Sequence, residues 1–154
     1  MSAPRDPALA RSAARLAAVQ ALYQMEISGT PGESVIEEFR EHRFGAEGEG
    51  AAIGDADDGH FVNIVRGVVA KQGEIDTLLD AQLSADWKIT RIDSILRALM
   101  RAAAYELLAR ADIPAKVIVN EYVDIAGDFF TGDEPKFANG VLDKLARKLR
   151  AAEF

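Results

Sequence analysis

An apolar residue returns every three or four positions through most of this chain, and nowhere does strand-type alternation hold for a useful length. Phe61, Ile64, Val65, Val68 and Val69 stand at i, i+3, i+4, i+7 and i+8, the one-sided stripe of an amphipathic helix. Ile92, Ile95, Leu96, Leu99, Ala103 and Leu107 repeat the pattern. Both outer segments keep the same period. Such a chain folds by packing helix against helix, so the expected class is all-α, with about seven helices.

The punctuation divides the stripes. Pro7 suits a first helical position and Gly29 a stop, giving a helix over 8–27 whose inward side reads Leu16, Val19, Ala21, Leu22, Tyr23 and Ile27. A turn at Thr30-Pro31-Gly32 precedes a short acidic helix over 33–44, with Val35, Ile36 and Phe39 inward. Residues 45–58 carry four glycines and five acids, the composition of a mobile acidic surface loop. Asp57 or Asp58 caps the next helix. A second period in Ile75, Leu78, Leu79 and Leu83 follows Gly73, which predicts a separate or kinked helix. Thr90-Arg91-Ile92-Asp93 reads as a capping box for a helix running to about Arg110. Pro114 opens another, with Val119, Tyr122, Val123, Ala126 and Phe130 inward. Beyond the break at 131–135, the last helix packs Phe137, Val141, Leu142, Leu145 and Leu149.

Composition narrows the chemistry. There are 154 residues, the size of one domain, and no cysteine, which removes disulfides, thiolate metal sites and cysteine nucleophiles. The only histidines are His42 and His60, both beside acidic sequence. A calcium loop starting at Asp55 would put Arg66 where its bidentate Glu belongs, and so fails. Gly45, Gly48 and Gly50 are spaced loosely like a phosphate loop, but Glu47 and Glu49 would repel the anion. The expectations are no enzyme, no metal and no cofactor. With no run of about 18 apolar residues and no signal-type leader, the chain is expected in the cytoplasm, off the membrane.

The net charge of −7 is unevenly spread. Residues 29–60 alone carry −7, from nine acids and two bases, whereas residues 89–154 balance at ten of each. A basic face can therefore coexist with the low total. Arg5, Arg11 and Arg15 mark the first helix and the tail before it; Arg97 and Arg101 stand four apart on the central helix. Lys136, Lys144, Arg147, Lys148 and Arg150 crowd the last. Solvated helix faces explain many such groups, and cations complement a helix C-terminus. Lys136 is at the other end, next to Phe137, where a basic–aromatic pair can hold a phosphate and stack a base, or Phe137 can simply join the core.

Several segments in order resemble the bacterial antitermination family NusB. They are Arg15-Leu16-Ala17-Ala18-Val19-Gln20-Ala21-Leu22-Tyr23-Gln24, then Trp87-Lys88-Ile89-Thr90-Arg91-Ile92, then Leu99-Met100-Arg101 and Ala104-Tyr105-Glu106-Leu107. After these come Asp112-Ile113-Pro114-Ala115-Lys116-Val117-Ile118-Val119-Asn120-Glu121 and Lys136-Phe137-Ala138-Asn139-Gly140-Val141-Leu142-Asp143-Lys144. The resemblance implies two packed helical bundles in a single RNA-binding domain over residues 1–154. It also implies binding of single-stranded boxA RNA together with NusE, the small-subunit ribosomal protein, within the RNA polymerase antitermination complex that reads through terminators, notably in ribosomal RNA operons. By matching position, Arg5, Arg11, Arg15, Arg101, Lys136 and Phe137 are expected to face RNA. Tyr23, Leu96 and Arg97 are expected near NusE, Leu96 standing where relatives often carry an acid. A patch around Tyr23 or Leu96 would also serve self-association as a homodimer. The acidic segment is expected to face away from RNA and limit non-specific binding by repulsion. Two other readings stay open: an accessory domain for an RNA-modifying enzyme, and a purely structural helical homodimer.

Overall fold

The computed structural model describes residues 6–42, 56–84 and 87–154. Arg5 and nearly all of the 45–58 loop lie outside them. Among the described residues there are six α-helices, two 3-10 turns and no strand, close to the expected seven. No helix there is long and apolar enough to cross a membrane. The contacts fall into two compact units, one ending at Val69 and the other beginning at Ala70.

In the first unit, α1 (Pro7–Ser28) starts on Asp6, whose carboxylate accepts from the Ala8 amide at 2.8 Å. It ends on Gly29, in the left-handed region at φ 72°, which donates to the Met25 carbonyl. Its buried stripe is Ala14, Ala17, Ala18, Val19, Ala21 and Leu22. Tyr23 and Ile27 are exposed and Leu16 is half-buried, which corrects the wider inward face expected of them. α2 (Gly32–His42) buries Val35, Ile36 and Phe39. The Phe39 ring stacks on Phe61, from the next helix, with centroids 5.5 Å apart. Outside, Arg66 grips Glu33 through two hydrogen bonds of 2.9 and 2.7 Å.

α3 (Asp58–Asp80) is capped by Asp57, whose side chain accepts from the His60 amide at 3.0 Å. It departs from helical geometry at Lys71 (φ −117°, ψ 17°), the kink that the second apolar period predicts near Gly73.

The second unit holds α4 (Ser94–Ala109), α5 (Ala115–Phe129) and α6 (Glu134–Leu149). The expected capping box is not made. Thr90 sits in a 3-10 turn, Ile89–Arg91, and Asp93 is the cap of α4, accepting from the Ile95 and Leu96 amides. A 3-10 turn ahead of the helix moves its start three residues along. Leu99, Met100 and Leu107 of α4, Ile118 and Tyr122 of α5, and Leu142 and Leu145 of α6 are fully buried. Within this layer Glu106 accepts from the Tyr122 hydroxyl at 2.5 Å, so a buried carboxylate is not left without a donor. Phe137 is not part of the core; it is 38% exposed.

Candidate nucleic-acid interface

The arginines divide by what their guanidinium groups already hold. Arg15 is 1% exposed. It stands three, four and seven residues before Ala18, Val19 and Leu22, on the buried stripe of α1 rather than its polar side, so it does not present a cation to a phosphate. Arg11, one turn earlier on the same line, is half-buried. Arg101, with only 12% of its side chain exposed, makes a two-pronged pair with Asp76 at 2.8 and 2.9 Å. Asp76 neutralises the charge expected to face RNA. Arg97 donates to the carbonyls of Ile89, Thr90 and Ile92 at 3.3, 3.1 and 2.7 Å, fastening the 3-10 turn to α4 instead of reaching outward. Arg150 likewise serves Glu106, Leu107, Arg110 and Ile113 carbonyls and the Glu153 carboxylate.

Planarity and multiple donors suit arginine to this internal work. Each clasp also pins the chain locally: Glu153 accepts from the Ala115 amide at 2.8 Å, capping α5 where Pro114 has no side chain to offer. That hydrogen bond, then the Arg150 guanidinium, holds the Glu153 carboxyl below its ordinary range.

The partner-facing residues also separate. Leu96 is 4% exposed; it lies on the buried side of α4 and offers no patch to NusE or to a second copy. Tyr23 is exposed, and it is not isolated. Leu9, Tyr23 and Ile27, all exposed, fall with half-buried Leu16 on one face of α1 by their spacing.

The lysines are different. Lys136, Phe137, Gly140, Val141 and Lys144 recur along one face of α6 and, with Gln82, Leu83, Ser84 and Trp87, line an open groove of about 330 Å³. Among the described residues no acid lines it, and no ion pair engages Lys136 or Lys144. Asp143, next to Lys144 in sequence, is occupied by Arg147 at 3.0 Å. Trp87, the single tryptophan, is 59% exposed. Sequence reasoning pairs Lys136 with Phe137 but does not join Trp87, Gly140 and Lys144 to them as one feature. The 3.6-residue period links 136, 137, 140 and 144, but only the fold brings Trp87 across from another segment.

A helical chain with Arg15, Arg97, Arg101 and Arg150 turned inward and a cationic, aromatic-lined groove left open belongs to the class of small helical binding proteins. Comparison with known proteins makes the class particular. The family model for NusB matches residues 12–147. The transcription antitermination protein NusB of Bartonella tribocorum is 54% identical over 140 residues, 91% of this chain and 90% of that one. Its counterpart from Maricaulis maris is 50% identical over 144 residues, 94% and 90%. The solved structure of T. maritima NusB superposes with a TM-score of 0.76 at 29% identity, covering 96% of this chain and 94% of that one. A structure of the antitermination factors NusB and NusE in complex with double-stranded RNA shares the fold at TM-score 0.72 and 23% identity, over 89% and 96%. This chain belongs to the NusB family.

Proposed function

We propose that this chain is a non-enzymatic transcription antitermination factor. As a single domain in the cytoplasm, it binds boxA-type single-stranded RNA together with NusE. It acts within the RNA polymerase antitermination complex to promote read-through, notably of ribosomal RNA operons. The observation that carries the reading is the α6 face, where two lysines without ion-pair partners among the described residues flank an exposed phenylalanine. Unpaired bases stack on such rings while their phosphates meet the ammonium groups. Family membership supplies the biological setting, and the NusB–NusE–RNA assembly solved on the same fold supports the choice of partners. The exposed stripe Leu9, Tyr23 and Ile27 on α1 supports Tyr23 as part of a protein contact. Arg11 and Arg5 extend the RNA surface on this reading; Arg15 and Arg101 support it from within.

Fluorescence anisotropy with a short boxA-type RNA and a scrambled control, with and without NusE, tests the proposal. Tighter binding of boxA, improved by NusE, is the expected outcome. Equal weak binding of both RNAs in both conditions sinks it. Tyr23→Asp should abolish co-elution with NusE while leaving the helical spectrum unchanged; retained co-elution moves the protein contact off α1.

A further inference from the structure

We infer that the groove between Trp87 and α6 is a pocket for one unstacked base of a single-stranded RNA, with Trp87 as its principal stacking surface. The inference rests on the RNA-binding reading above and assigns a site within it.

Five observations converge on that occupant. A tryptophan 59% exposed and a phenylalanine 38% exposed line the same groove, so two flat apolar faces border one space. Lys136 and Lys144 lie along its α6 edge with no acid among the described lining residues, a charge complement for the phosphates flanking a base. Gly140 lies between them on the helix, and a Cβ built there meets no atom within 4 Å. The groove therefore stays open at its α6 side because that residue has no side chain. Gln82 and Ser84 add an amide and a hydroxyl at the margin, groups able to hydrogen-bond a base edge. About 330 Å³ is at the small end of ligand pockets, a size for one ring system rather than a helix or strand. A buried protein side chain would leave both lysines without a counter-charge.

Because Trp87 is this chain's only tryptophan, its emission, after subtraction of a parallel titration of NusE alone, reports this groove. The full chain, with NusE present, is titrated with a boxA-type RNA while tryptophan emission and RNA anisotropy are followed together. Emission should be quenched in step with the anisotropy rise. A strand of equal length with abasic sites should bind more weakly without quenching. Trp87→Ala should weaken RNA binding by about fivefold to a hundredfold, and Trp87→Phe should restore most of it. Gly140→Leu, which fills the groove from an exposed helical position and keeps the native tryptophan, should weaken RNA binding and abolish the quenching, with circular dichroism unchanged.

RNA binding with unchanged emission, and wild-type affinity in Trp87→Ala and Gly140→Leu, overturns the base pocket and leaves the RNA-binding reading standing. Quenching by NusE alone, with Gly140→Leu weakening NusE but not RNA, reassigns the groove to a protein partner and also overturns it. Absence of any anisotropy change, NusE included, removes both readings.

Discussion

Helices α1 and α6 both carry cations, yet they use them in opposite ways. On α1, Arg15 falls on the stripe of Ala18, Val19 and Leu22 and is sealed inside. On α6, Lys136 and Lys144 fall off the stripe of Ala138, Leu142 and Leu145 and stay at the surface. The same division holds within the second unit, where Arg97, Arg101 and Arg150 are clasped by carbonyls or carboxylates. Arginine's forked donors close several backbone acceptors at once, so it survives burial; lysine, a compact and strongly hydrated charge, stays at the surface. Cation density in a sequence therefore overstates the cationic surface when the residues are arginines on a helix interior.

The sharpest way to break this contrast is Arg15→Ala. Removing a buried, engaged guanidinium should cost about 3–5 kcal/mol of unfolding free energy in a urea titration, with no change in the salt dependence of RNA binding. Full stability combined with a flatter salt dependence would return Arg15 to the RNA surface. Arg101→Ala comes next, at about 1.5–3 kcal/mol for the charged hydrogen bonds that a half-buried Asp76 would no longer accept. Here too the RNA salt slope should hold.

The lysines should behave in reverse. Lys136→Ala with Lys144→Ala should leave unfolding within about 0.5 kcal/mol of the parent. It should flatten the slope of log affinity against log salt by about 0.7 for each phosphate no longer neutralised. An unchanged slope would make α6 an ordinary solvated face.

The smallest effect belongs to Glu153. Its pKa is held below the ordinary 4.5 by the Ala115 amide and Arg150. Its contribution is thus complete above that value and is lost as pH falls through the lowered one. Glu153→Gln should abolish this small acid-dependent loss in the melting temperature measured from pH 6 down to pH 3, while an unaltered profile would show that the carboxylate adds nothing.

Much of the fold was legible because helix periodicity and end signals are local. Pro7 and Gly29 bound α1 as expected, and the interrupted period near Gly73 marks the kink at Lys71. Where two local signals competed, the shorter-range one misled: Thr90 matched a capping pattern, but the 3-10 turn made Asp93 the cap. Side-chain roles were less legible. Arg11 and Arg15 share a face by spacing, but whether that face is wet depends on what packs over it. Asp76, 25 residues from Arg101, has no signature as its partner.

The amino-acid sequence by itself determined an all-helical chain, an acidic excess confined to residues 29–60, and a family resemblance carried by ordered motifs. These depend on periodicity, capping and residue order, which act within a few turns of chain. Tertiary structure decided which cations remain available and that Trp87 shares a groove with Lys136, Phe137 and Lys144. Burial and long-range pairing depend on which segments meet in space, and a segment's own pattern does not specify its neighbour across the fold.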